Sequence, residues 1–217
     1  MIRRKEQGLL IVVSGPSGSG KSTLDNLLLE KRDNIVMSVS DTTRAIRGSE
    51  VNGVDYNFIT KEEFEENIKK DKYLEYAQVY TGTYYGTPES FVNKNLNKGI
   101  DVILEIDIEG ARQVKEKRND AIFIFIMPPS MKILKDRLVA RKTENKDQVI
   151  ERFKTAYKEI NEFNRYNYVI VNDELDKALD KMDAIITCEK CRVDRIEELD
   201  VGNTEELMHE ILVDFEK

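Results

Sequence analysis

A doubly wound α/β fold with a parallel central sheet is the architecture this chain predicts, and three observations predict it. Short β-branched runs alternate with longer amphipathic stretches from one end to the other, as in repeated βα units with right-handed crossovers. Four of the five runs are continuous rather than alternating, which is the pattern of strands buried on both faces. One stretch, Asp41 to Pro88, breaks the rhythm with turn chemistry and short alternating segments, and reads as a mixed, mostly antiparallel insertion. The expected division is a core formed by residues 1–36 and 89–217, an insertion at 37–88, a helical lid at 137–163 and an acidic tail at 194–217.

The first run, Leu9–Val13, leads into Gly15-Pro16-Ser17-Gly18-Ser19-Gly20-Lys21-Ser22, which fits G-x-x-x-x-G-K-[ST] and opens a helical stretch that continues past Thr23. Strand, glycine-rich loop and helix in that order are the setting a P-loop requires. Glycines let successive N–H groups converge on a phosphate, and the helix N-terminus adds its positive dipole end at the same point. Lys21 is then expected on the outer phosphates of a nucleoside triphosphate, with the Ser22 hydroxyl on Mg²⁺. The remaining core strands are Ile35–Val39, Val102–Ile106, Ile122–Ile126 and Tyr168–Val171. Helices are expected at Thr23–Lys31, Glu89–Asn97, Glu109–Lys117, Met131–Ala140, Asp147–Phe163 and Glu174–Ile186. Within the insertion, strands at Val54–Ile59 and Tyr73–Val79 flank a polar helix from Lys61 to Lys70.

Charge narrows the partners. The formal net charge of −7 lies wholly in the segment from Asp194 to Lys217, which carries nine acidic and two basic residues. The rest of the chain is neutral, without the basic surplus of a nucleic-acid footprint. No stretch approaches the roughly 20 apolar residues of a membrane span, and the apolar run after Met1-Ile2-Arg3-Arg4-Lys5 is a core strand rather than a signal sequence. A cytoplasmic protein, monomer or homodimer, is expected. Cys188 and Cys191 are spaced C-x-x-C with no second pair, which favours two free thiols over a metal site. Basic residues crowd between two helices from Arg137 to Arg152. A solvated face is the ordinary reading of such a run, and a mobile lid over an ATP site is its competitor.

A second binding site is suggested by the residues of the insertion. Arg44 and Arg47, with the hydroxyls of Tyr56 and Tyr85, could grip a phosphate monoester through guanidinium forks and phenol donors. Glu75, with Ser40 and Thr87, offers a carboxylate for paired N–H donors such as guanine presents; adenine has no such pair.

Taken together, Ser14–Thr23, Ser38–Arg44, Glu50–Tyr56, Tyr84–Pro88, Ile103–Asp107 and Val169–Asp173 resemble the guanylate kinase family, in order and spacing, over roughly residues 6 to 192. The resemblance implies transfer of the γ-phosphate of ATP to GMP or dGMP by in-line displacement, with Mg²⁺ as cofactor. It implies that Ser40, Glu75 and Thr87 read guanine, and that Arg44, Arg47, Tyr56 and Tyr85 hold the GMP phosphate. Asp107 would stand near GMP and, through water, the Mg²⁺ on Ser22. Gly15 through Thr23 with Arg141 and Asn172 would bind ATP, and Lys21, Arg44, Arg141 and Arg152 would carry the charge of catalysis; Arg137 is a weaker lid match. The family pattern T-T-R-x-P-R-x-G-E stands here with Ile46 for proline and Ser49 for glycine, so Arg47 is expected to be held less firmly. The loop Val79–Thr83 is one residue longer than the family's, which leaves open whether Tyr84 or Tyr85 faces the phosphate. Two rivals stand beside this reading: a kinase for another nucleoside monophosphate, which should lack the guanine-reading carboxylate, and a non-catalytic scaffold module of the same shape, in which the P-loop is usually degraded.

Overall fold

The computed structural model of the chain describes residues 2–4, 7–79, 82–140, 146–199 and 212. In chain order the strands and helices are β1 (Ile2–Arg4), β2 (Leu10–Ser14), α1 (Lys21–Lys31), β3 (Ile35–Met37), β4 (Asp41–Thr42), β5 (Asn57–Phe58), α2 (Lys61–Lys69), β6 (Tyr73–Gln78), β7 (Tyr84–Pro88), α3 (Glu89–Leu96), β8 (Asp101–Glu105), α4 (Ile108–Lys117), β9 (Ile122–Met127), α5 (Met131–Ala140), α6 (Lys146–Ile160), β10 (Tyr168–Val171), α7 (Leu175–Glu189) and β11 (Ile196–Leu199).

Five strands form a parallel sheet in the order β10-β9-β2-β8-β3. The chain crosses from one side of β2 to the other between β8 and β9. The carboxyl end of β2 therefore faces the crevice where ligands of such sheets bind. Side chains alternate across the sheet. Leu9, Ile11 and Val13 pack with Leu24, Leu28, Met182 and Ile186 of α1 and α7, whereas Leu10 and Val12 pack with Val92, Leu96 and Val114 of α3 and α4. Burial on both faces explains why the strands read as unbroken apolar runs.

The stretch after β3 builds a separate four-stranded sheet, β5-β4-β7-β6, in which β4–β5 is parallel and the other two pairings are antiparallel. Its stability rests on α2. Thr60 caps that helix by accepting from Glu63 N–H at 3.1 Å, and Phe64 stacks on Tyr73 and Tyr84 with ring centroids 4.5 and 5.0 Å away. Buried Asp41 accepts from the Tyr73 hydroxyl and the Asn57 amide, both at 2.8 Å, which ties three strands together. Helices α5 and α6 form a hairpin around Leu134, Leu138 and Ala156.

Three features differ from the sequence reading. β7 was not expected as a strand, because Gly86 and Pro88 weaken its pattern. The strand expected at Val54–Ile59 is reduced to β5, the preceding residues being used in a turn where Gly53 takes φ +80°. β1 and β11 pair antiparallel, a contact between chain ends that short polar segments do not announce.

Candidate functional site

The P-loop follows directly from β2. Gly15 is required because a Cβ there would lie 2.3 Å from the Ile126 carbonyl oxygen of β9. Gly20, at φ +94°, precedes the first turn of α1, and a Cβ on it would meet Asn172 Nδ2 at 2.3 Å. The loop borders a cavity of about 360 Å³ lined also by Thr23, Glu105, Ile106, Asp107 and Glu159. Pro16 and Ser19 do not line it. Ser19 is fully buried behind the loop.

The Lys21 ammonium donates to the loop's own carbonyls, Gly15 O at 2.8 Å and Pro16 O at 3.3 Å. The Ser22 hydroxyl donates to Glu105 Oε1 at 2.9 Å. Asp107 caps α4 by accepting from Gly110 N–H at 2.8 Å. These oxygens suit a hard cation such as Mg²⁺. Among the described residues no three acidic, cysteine or histidine side chains are grouped to hold a metal by themselves. The Glu159 carboxyl, raised by burial, is opposed by the Lys21 charge and raised further by Asp107.

Two side chains clamp the far side of the loop. Buried Asn172 donates to Ser19 O at 2.8 Å, and Arg137 reaches Gly18 O, Ser19 O and Asn172 O at 3.3–3.5 Å. Arg152 is an exposed residue of α6 and does not line the cavity. Arg141 lies outside the described residues.

The second sheet gathers the other expected residues. Arg44 forms a two-pronged pair with Glu50 at 2.6 and 2.7 Å, donates through Nε to the Tyr85 hydroxyl at 3.2 Å, and lies over the Tyr56 ring at 4.9 Å. This partnership raises the Arg44 pKa, and Arg44 with the Arg47 N–H holds Glu50 down to about 2. Tyr85 thus faces Arg44, while Tyr84 stacks on Phe64. Arg47 has an exposed side chain, and its backbone N–H is fixed by Glu50 Oε2 at 2.9 Å. Ser40 is partly buried, its carbonyl accepting from Asn57 N–H.

Glu75 and Thr87 face one another across β6 and β7. The Thr87 hydroxyl donates to Glu75 Oε1 at 2.6 Å, Thr87 is fully buried and Glu75 is 7% exposed. Gly110 of α4 lets the other oxygen approach: a Cβ there would be 2.9 Å from Oε2. Burial raises the Glu75 pKa; the Thr87 hydrogen bond opposes this and the Asp107 charge adds to it. That mutual influence relates the carboxylate of the second sheet to the residue beside the P-loop.

Residue types alone did not single out Glu105 or Glu159, whereas Glu50 stood among the motif residues of the insertion without a role. Glu105 carries a weak signal, as the last residue of a central strand two positions before Asp107. Glu159 has none, because it sits among the charges of an otherwise solvated helix.

A glycine-rich loop at the switch point of a parallel sheet, closed by a helix N-terminus, an arginine and an ordered lysine, defines a P-loop kinase fold. The family model described as guanylate kinase matches residues 7–189. The chain belongs to the guanylate kinase family and is an enzyme of that kind. It is 54% identical to the guanylate kinase of Clostridium perfringens (strain SM101 / Type A) over 98% of both chains. With the guanylate kinase of Streptococcus pneumoniae (strain ATCC BAA-255 / R6) it shares 48% identity over 94% of this chain and 96% of the relative. The crystal structure of guanylate kinase from Anaplasma phagocytophilum superposes with a TM-score of 0.71 at 37% identity, covering 89% of this chain and 92% of that one.

Proposed function

We propose that this chain transfers the γ-phosphate of ATP to GMP or dGMP, giving ADP and GDP or dGDP. The observation that carries the choice of acceptor is the buried Glu75–Thr87 pair, 2.6 Å apart, with Arg44 and Tyr85 on the same small sheet. A carboxylate in that position accepts from N1–H and the 2-amino group of guanine, whereas adenine offers a lone pair to an anion. Ser40 is assigned to the base, and Arg44, Arg47, Tyr56 and Tyr85 to the acceptor phosphate.

The attacking oxygen of GMP is already anionic near neutral pH, so the chain needs no general base. Its task is to position two anions and neutralise charge that spreads over the transferred group. Lys21 leaves the Gly15 and Pro16 carbonyls for the outer phosphates of ATP. The loop N–H groups from Gly15 to Thr23, Pro16 having none, hold the phosphates, and Arg137 and Asn172 keep that loop in shape. Arg44, positioned by Glu50, brings the acceptor phosphate toward the cavity, and Arg141 and Arg152 are assigned to the donor phosphates on closure of a lid spanning 137–163. Closure excludes water that would otherwise hydrolyse ATP. Mg²⁺, when bound, supplies charge neutralisation of the phosphate oxygens, with Ser22 and, through water, Asp107 as the residues that would hold it. The insertion at 37–88 is assigned to GMP and the remainder of the chain to ATP. Membrane and nucleic acid have no part in this reading, which sets the enzyme in the cytoplasm as a monomer or homodimer.

An ADP-release assay with GMP, dGMP, AMP, UMP and CMP tests the proposal. Activity with the two guanine nucleotides alone is expected; efficient use of AMP would refute it.

A further inference from the structure

Asp25 has no part in the phosphotransfer just described, yet it is fully buried and neither carboxyl oxygen has a hydrogen-bond partner among the described residues. A buried acid without a partner is rare, because it gives up water and receives nothing in exchange. Its neighbours on α1, Leu24 and Leu28, are fully buried aliphatics, so burial at position 25 does not by itself call for an acid.

Placement supplies the reason for an acid. Asp25 follows Lys21 by four residues and Ser22 by three, so it occupies the same side of α1, one turn below them. Facing that side is the end of β8, where Glu105 accepts the Ser22 hydroxyl at 2.9 Å. Burial, then the Glu105 charge, push the Asp25 carboxyl up to about 8, with Lys21 opposing. Near neutral pH it therefore keeps its proton and offers an O–H donor on the side of α1 that faces Glu105.

We propose that Asp25 is a positioning residue for Glu105, and through Glu105 for the Ser22 hydroxyl that takes the Mg²⁺–nucleotide. When phosphate draws Lys21 off the loop carbonyls, the Asp25 O–H closes on Glu105. Held from below, Glu105 keeps the Ser22 proton directed at itself and the Ser22 lone pairs directed outward. No proton is transferred; one donor gains an acceptor. The inference rests on the nucleotide-binding reading of the P-loop and adds a residue that this reading does not use.

The experiment measures binding rather than turnover: the affinity of a non-hydrolysable fluorescent ATP analogue, with Mg²⁺ and with EDTA, for wild type, Asp25→Asn and Asp25→Leu. The leucine variant is expected to melt at a higher temperature and to bind the Mg²⁺-free analogue like wild type, but to lose about tenfold of the enhancement that Mg²⁺ gives, the scale of one hydrogen bond to a charged group. Asparagine, which still donates an N–H, should keep that enhancement within about twofold. Should the leucine variant not fold, Asp25→Ala takes its place, and a cycle with Glu105→Gln must then show non-additive losses. Full Mg²⁺ enhancement in the leucine or alanine variant, an equal loss in asparagine, or additivity in the cycle would overturn the inference. Failure of wild type to bind the analogue at all would instead overturn the P-loop reading itself.

Discussion

Glu75→Gln tests guanine recognition at the single atom that distinguishes the two side chains. In the wild type, Oε1 accepts from Thr87 at 2.6 Å and Oε2 lies against Gly110, so two acceptors are available in a nearly dry position. Guanine needs an acceptor for N1–H and another for its 2-amino group. Glutamine has one oxygen, so its NH₂ takes the place of one acceptor and leaves one of the two guanine donors facing a donor. Loss of one hydrogen bond to a charged group costs about 1.5–3 kcal/mol, which is roughly 10- to 150-fold in kcat/KM for GMP. Adenine, by contrast, gains, because its ring nitrogen can accept from the new NH₂. Wild type should discriminate by roughly 10⁴ or more, and the variant's GMP/AMP ratio should contract toward unity from both sides. Steady-state ADP release with GMP and AMP at saturating ATP gives both numbers, and KM for ATP is the internal control, expected to move less than about twofold. A GMP/AMP ratio unchanged in a folded variant would show that another residue reads the base.

Lys21→Met should fold normally and lower kcat by roughly a thousandfold, the scale of deleting one principal electrostatic stabiliser; retention of a tenth of the activity would remove Lys21 from the mechanism. Arg44→Ala is expected to raise KM for GMP and lower kcat, and Arg47→Ala, whose side chain is exposed and unsupported by the two-pronged pairing Arg44 enjoys, should raise KM for GMP less. Larger effects of either on ATP than on GMP would reverse the substrate assignment. Asp25 has a folded pKa of about 8 against 3.8 for the free side chain, so its contribution to stability is complete below about pH 4 and is lost as pH rises toward 8. The stability advantage of Asp25→Asn over wild type in urea melts should therefore grow from pH 5 to pH 8 by on the order of 3–4 kcal/mol; a constant difference would mean that Asp25 ionises normally. Truncation after Leu199 keeps β11 paired with β1 and removes most of the acidic tail; kcat should stay within a few-fold, and complete loss in a folded truncation would place the tail in the site.

The parts of the fold legible in the sequence are those decided by local physics. Leu10–Ser14 and Ile122–Met127 announce themselves because strands covered on both faces leave no polar position to interrupt the run. The P-loop is equally plain, since its glycines answer to backbone constraints that no other residue meets. β7 was illegible for the opposite reason: Tyr84-Tyr85-Gly86-Thr87-Pro88 has a weak strand pattern, and it is a strand because β4 and β6 supply its hydrogen bonds. The limits of α1, β8 and α7 shifted by a few residues, as ends set by tertiary hydrogen bonds do.

Within the site, side-chain type indicated which chemistry was available, and tertiary pairing decided how it was arranged. Glu50 looks like a surface acid in a turn, yet it holds both prongs of Arg44, while the pairing of β4 with β7 sets the Tyr85 hydroxyl 3.2 Å from the Nε of the same guanidinium. Asp25 is the sharper case. In Lys21-Ser22-Thr23-Leu24-Asp25-Asn26-Leu27-Leu28 it reads as one more polar residue of an ordinary amphipathic helix, and helical periodicity sets it beside, not within, the Leu24–Leu28 stripe. Asp25 is nevertheless fully buried, on a helix that packs against β8, a strand distant in sequence. An acid kept in that place against its own solvation is a property of the packing, and its proposed effect is on Glu105 and the Ser22 hydroxyl that donates to it, at the end of the P-loop.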